Sequence, residues 1–200
     1  MRRMRVLTIL LLLLASSVVD ASAQAIHIVA FGTSFTNGKG VSRKDAWPAK
    51  LEANLNAQGL SVQVSNLGIN GNTTRDLMRR LATEIPEGTP IVIFEYALGN
   101  DHRAGISNEE TFKNVGEVVS QLVARKILVL LVNRGQDSAQ LERRTEHVKE
   151  IVSNFGIKSI DIEQPDSSLL SDHQHPTPEA HTQIAASMVN PVKALISKLK

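Results

Sequence analysis

Cysteine is absent from all 200 residues, so no disulfide can staple this chain and its stability must rest on a packed core. A long apolar run is absent too. The longest, Val6 to Leu14, falls short of the roughly 20 residues that span a bilayer. No cysteine follows that run, which excludes a bacterial lipoprotein anchor. Internal repeats, low-complexity tracts and shifts of composition that would mark a linker are likewise missing, so the remainder reads as one domain. An excess of positive charge is missing as well. The whole chain carries 22 basic and 20 acidic residues, but without Arg2, Arg3, Arg5 and Asp20 of the first 23 positions it holds 19 of each. A balanced chain gives no support to a nucleic-acid partner or an anionic membrane.

Those first 23 residues have the build of a secretory signal. Basic residues precede a short apolar stretch, and small residues end in Ala21-Ser22-Ala23, a pattern that invites cleavage before Gln24 or two residues later. The expected organisation is a signal peptide over 1–23 and a single domain over 24–200. Release into a periplasm or the medium follows, with no stable membrane anchor after cleavage.

Five β-branched apolar runs read as buried parallel strands: Ile26 to Phe31, Val62 to Asn66, Ile91 to Tyr96, Ile127 to Asn133 and Ser159 to Ile162. Helical spacings lie between them, in Trp47, Leu51 and Leu55, in Leu77, Leu81 and Ile85, and in Phe112, Val115, Val119 and Val123. Two more follow, anchored by Leu141 and Val148 and by Ile184 and Met188, and Pro191 is expected to kink or divide the last. Such alternation calls for an α/β three-layer sandwich around a five-stranded parallel sheet.

Open sheets of this kind bind ligands beyond the carboxyl ends of their strands, so the loops after the strands carry the chemistry. Ser34 follows the first strand at a turn that can expose its hydroxyl and its N–H. Asp172 and His175 stand three apart on one loop, near enough for the carboxylate to accept from the imidazole. Acyl transfer by serine needs such a base, a group that orients it, and donors for the developing oxyanion. Gly71 can bring a bare N–H to a substrate. Asn100 can offer a carboxamide N–H from the third strand's end, so Ser34, Gly71 and Asn100 make a three-donor oxyanion hole.

Other readings of these residues are weaker. His173, His175 and His181 with Asp172 invite a zinc site, but no other segment supplies an obvious further ligand. Gly38-Lys39 resembles part of a phosphate-binding loop, yet five residues rather than four separate Gly32 from Gly38, and Gly40 stands where Ser or Thr would bind magnesium. Glu142-Arg143-Arg144 reads as a solvated helix face. His27 reads as structural on its strand, and His102 and His147 as surface residues.

In four blocks the chain resembles the SGNH, or GDSL-like, hydrolases, and within them the small bacterial periplasmic thioesterases, lysophospholipases and arylesterases. The blocks are Phe31-Gly32-Thr33-Ser34, Asn66 to Thr73, Gly99-Asn100-Asp101 and Asp172 to Pro176. The resemblance implies a flavodoxin-like sheet of order 2-1-3-4-5, catalytic roles for Ser34, Asp172 and His175, an oxyanion hole of Ser34, Gly71 and Asn100, and no metal or cofactor. It implies an exported serine hydrolase of small acyl esters or thioesters. The alternatives are an acetyl transferase or deacetylase acting on polysaccharide, and a catalytically silent binding domain. Three positions depart from the family pattern. Thr33 replaces the usual Asp, Leu98 the first glycine of the asparagine block, and His173 a small residue.

Overall fold

The computed structural model describes residues 24–96 and 98–199, so the expected signal segment lies outside the described residues. Five strands, β1 (Ile26–Gly32), β2 (Val62–Gly68), β3 (Ile91–Glu95), β4 (Leu128–Gly135) and β5 (Lys158–Glu163), form one parallel sheet in the order β2-β1-β3-β4-β5. Each of the five apolar runs became a strand, with ends shifted by one or two residues. The order reverses at β1, whose neighbours are β2 on one side and β3 on the other. The crevice at that switch point lies beyond the ends of β1 and β3.

Helices cover both faces, as the strands' apolar content on both sides requires. On one face α2 (Trp47–Ala57) and α7 (Pro178–Ile196) bury Trp47, Leu51, Met188 and Val192 against Ile28, Ile93 and Leu130. On the other, α3 (Thr74–Glu84), α5 (Asn108–Ala124) and α6 (Ser138–Phe155) bury Leu77, Leu81, Val115, Val119 and Val148 against Val29, Val92 and Leu131. Thr73 starts α3 with a reciprocal capping box to Asp76. Ser107, Asp137 and Thr177 cap the starts of α5, α6 and α7 through their side-chain oxygens.

Of the two outcomes expected at Pro191, a kink or a division, the helix is not divided; α7 runs on through it to Ile196. Proline removes one hydrogen bond, but Met188 and Val189 before it and Val192, Leu195 and Ile196 after it are all buried in the core. Burial at about 25 cal/mol per Å² on both sides outweighs the lost bond. A second difference lies after β3. The segment with Asn100 is not an open loop but a short helix, α4 (Leu98–Arg103).

Candidate active site

The turn at Ser34 follows from two close approaches. A Cβ on Gly32 would fall 2.3 Å from Thr36 Oγ1 and 2.6 Å from Glu95 Oε2, and one on Gly68 would fall 2.1 Å from the Asn37 nitrogen. Only glycine lets β1 and β2 end that close to the following helical turn, α1 (Ser34–Asn37), which closes on left-handed Gly38. The Gly38 and Gly40 of the phosphate-loop resemblance therefore make a turn. Arg80 ties the strand ends together, donating from Nη2 to the carbonyls of Gly32 and Leu67, both at 2.7 Å, with its guanidinium over the Phe31 ring.

Beneath this turn lies Glu95, the last residue of β3, which is fully buried. Its carboxylate accepts from the Thr33 N–H at 2.7 Å, from the hydroxyls of Thr33 and Thr36 at 3.0 and 3.1 Å, and from Arg134 Nε at 3.0 Å. Sequence reasoning missed both Glu95 and Arg134. The acid that the usual motif carries at position 33 is absent, and a carboxylate from the neighbouring strand occupies the underside of the turn instead. The available signal was a lone Glu in the buried run Ile91-Val92-Ile93-Phe94, since a charge in such a strand needs partners.

Ser34 Oγ lies 2.9 Å from His175 Nε2, and His175 Nδ1 lies 2.6 Å from Asp172 Oδ2. Asp172 Oδ1 accepts the N–H groups of Gln174 and His175, both at 3.0 Å. Burial works to raise the Asp172 carboxyl, but the His175 ring and those two N–H groups prevail and hold it at about 2. Ser34 and His175 are buried, whereas Asp172 is exposed. His173, between the partners, has a φ of 53°. That left-handed backbone gives a reason why the position usually holds a small residue.

Asn100 is oriented by two contacts. Its Oδ1 accepts from Arg103, and its Nδ2 donates to the Asn72 carbonyl at 2.8 Å. One Nδ2 proton is left for the cleft that Asn100 lines together with Ser34 and His175. Asp101, fully buried, fixes the helix under it by accepting from the Thr74 N–H at 2.8 Å and from the hydroxyls of Thr74 and Thr111 at 2.5 and 2.7 Å. Gly71 has a φ of +80° and no heavy atom within 4 Å of where a Cβ would stand. Its loop is tied to the nucleophile turn by Asn37 Nδ2, which donates to Asn70 Oδ1 at 2.9 Å.

The structure thus brings Ser34, Asn100, Asp172 and His175 together and leaves His181 apart. His181 is fully buried, and its Nδ1 accepts from the Trp47 N–H at 3.2 Å. Among the described residues no group of three or more His, Asp or Glu stands close enough to hold a metal ion. His27 bonds across strands to Ser65 at 2.7 Å. His102 and His147 are exposed, the latter stacked on Phe112. Arg144 corrects one expectation, because it is half-buried and lines the cleft rather than a solvated face. It lies three residues after buried Leu141 and four before buried Val148, which places it on the inward stripe of α6.

The model of the GDSL-like lipase/acylhydrolase family matches residues 30–183. Esterase TesA of Pseudomonas aeruginosa is 26% identical over 113 residues, 56% of this chain and 55% of that relative, so the alignment spans about half of its length. The arylesterase of Vibrio mimicus is 24% identical over 192 residues, 90% of this chain and 94% of that one. The solved esterase EstA from Pseudoalteromonas sp., in a form inhibited by monoethylphosphonate, is 18% identical with a TM-score of 0.73 over 86% of this chain and 99% of its own. At that identity the likeness is one of fold.

Proposed function

Because the chain belongs to the GDSL-like lipase/acylhydrolase family and is a hydrolase acting on ester bonds, we propose that it cleaves acyl esters or thioesters through a covalent acyl-enzyme on Ser34. The observation that carries this reading is the unbroken chain of contacts from Ser34 Oγ through His175 to Asp172, 2.9 and 2.6 Å long. His175 Nε2 takes the hydroxyl proton as Oγ attacks the carbonyl carbon, and the imidazolium that forms is stabilised by ionised Asp172. The negative charge moves onto the carbonyl oxygen, where the Ser34 N–H, the Gly71 N–H and the free Asn100 proton donate. Collapse breaks the bond to the leaving oxygen or sulfur, which collects the proton from His175. Water then gives a proton to His175 as it attacks the acyl carbon, the bond from that carbon to Ser34 Oγ breaks, and Oγ takes the proton back from His175 as the acid leaves.

Export is part of the same proposal, with residues 1–23 as a cleaved signal and a periplasmic or secreted product. The matched relatives are bacterial esterases, and among the described residues no helix is long and apolar enough to cross a membrane. Amino-terminal sequencing of the protein recovered outside the cytoplasm checks it. The expected start is Gln24 or Ile26, and recovery of an intact Met1 chain in membranes would overturn it.

A phosphonate inhibits the Pseudoalteromonas relative, and an activated serine reacts with fluorophosphonates. One adduct per chain is expected, mapped to the peptide with Ser34 and lost in Ser34→Ala. A label on another residue, or none on folded protein, would overturn the assignment.

A further inference from the structure

The cleft at Ser34, of about 200 Å³, is lined by three arginines, Arg103, Arg134 and Arg144, and by no aspartate or glutamate. Arg134 is paired with Glu95. Arg103 and Arg144 have no carboxylate within 4.0 Å among the described residues. Arg144 gives one N–H to the Arg134 carbonyl and holds no other acceptor among the described residues. Desolvation lowers its pKa, and the charges on Arg134 and Arg143 add to this against Tyr96 and Asp137. Asp137 is engaged at the start of α6, where it accepts the Gln140 N–H at 2.7 Å.

Arg103 is exposed, but Arg144 is half-buried, and a half-buried guanidinium without an acidic partner is costly unless something supplies an anion. The wall offers further donors. Gln164 is 4% exposed, and its Nε2 has no partner among the described residues. A second hollow, sharing Leu98, Gln140 and Arg144 with the cleft, adds Arg143 and again contains no carboxylate. A neutral fatty acyl chain would use none of these groups and would leave the Arg144 guanidinium desolvated.

Resting on the reading of Ser34, His175 and Asp172 given above, we infer that the substrate is an ester carrying an anionic group, bound by Arg144 and its neighbours beside the scissile bond. Guanidinium forks suit a carboxylate or phosphate oxygen pair. The anion stands on the acyl side or on the alcohol side, and two substrate pairs separate these sources.

The acyl pair is 4-nitrophenyl hydrogen adipate and its methyl ester; the alcohol pair is 4-acetoxybenzoate and its methyl ester. Within each pair a carboxylate is replaced by its methyl ester, and release of the phenol is compared after division by the uncatalysed rate of the same ester. The full mature protein is expected to prefer the anion in one pair, by about 10-fold in kcat/KM at low salt, with the preference shrinking as ionic strength rises. Arg144→Gln is expected to collapse that ratio to about unity, Arg144→Lys to keep part of it, and Arg79→Gln, an exposed control outside the cleft, to leave it unchanged. Equal rates within both pairs, with the neutral esters turned over and Ser34 labelled by fluorophosphonate, would overturn this inference alone. So would a preference that Arg144→Gln leaves intact in a variant whose circular dichroism is unaltered. No hydrolysis of any of the four esters and no labelling of Ser34 would overturn the reading of the site and this inference with it.

Discussion

The turn under Ser34 rests on Glu95, a buried carboxylate that spends its oxygens on two threonines and an arginine drawn from two other strand ends. The segment under His175 rests mostly on itself. Leu170 donates to the His175 carbonyl at 2.7 Å, His173 to Leu170 at 2.9 Å, and Asp172 accepts the next two backbone N–H groups in reach, at the surface. Ser34 is therefore placed by long-range contacts that also hold the sheet together, and His175 by short-range contacts of an exposed loop. Disturbing the first region should cost stability and activity together. Disturbing the second should cost activity with little loss of fold.

The largest expected effect is chemical and tests neither anchor. Ser34→Ala removes the attacking oxygen and is expected to lower kcat by roughly 10⁶-fold, the scale seen when a nucleophile is deleted from a serine hydrolase. Its melting temperature should stay within a few degrees of wild type, because one hydroxyl contributes little to the core. Progress curves and calorimetry on the same preparation check both.

Glu95→Gln separates the two regions most directly. It keeps the volume but removes the charge that faces Arg134 and the Thr33 N–H, and breaking a buried pair costs about 3 kcal/mol when one partner is left uncompensated. Denaturant unfolding should show that loss alongside reduced turnover. Asp172→Asn should cut kcat while barely moving the unfolding midpoint, since the side chain is 42% exposed. Equal stability losses in the two variants would break the comparison.

Asn100→Ala reads the third wall, between the two. Its free proton matters once charge has moved onto the substrate oxygen, so kcat should fall by about 10²- to 10³-fold with little change in KM. A loss below about threefold would mean that the oxyanion is held by other donors.

Much of this was legible in the chain because it is local. Ser34, and Asp172 with His175, sit in short blocks after β-branched runs, and a parallel sheet delivers such blocks to one edge. The sheet order followed from the resemblance carried by those blocks. What escaped was made of single residues whose partners are distant in sequence. Glu95 looks like one polar position in a strand until Thr33, Thr36 and Arg134 gather around it. Arg144 looks like part of a charged surface until the stripe through Leu141 and Val148 turns it inward. Pro191 reads as a breaker because the chain does not reveal how much core it borders. In each case tertiary burial outweighed a local preference.

His181 links the two regions, and the effect expected from it is on stability alone. It lies on the helix that follows the base, its ring centroid is 6.4 Å from that of Phe35 beside the nucleophile, and it takes the Trp47 N–H on Nδ1. Burial first, then the charges of Lys50 and His175, push its pKa from 6.5 down to about 4. An imidazolium would also turn a proton on Nδ1 toward the Trp47 N–H. The native ring therefore stays neutral between pH 6.5 and 4 while the same residue in the unfolded chain takes up a proton. Stability rises with pH wherever the unfolded state binds more protons, so this contribution is complete above about 6.5 and is lost as pH falls toward 4. At 1.36 kcal/mol per unit the loss is about 3 kcal/mol. His181→Asn keeps an acceptor for Trp47 but cannot titrate. In urea unfolding at pH 7.5 it should be the less stable protein, and its deficit should shrink by about 3 kcal/mol on going to pH 4. Wild-type and variant curves that stay parallel across that range would place the acid sensitivity elsewhere than in His181.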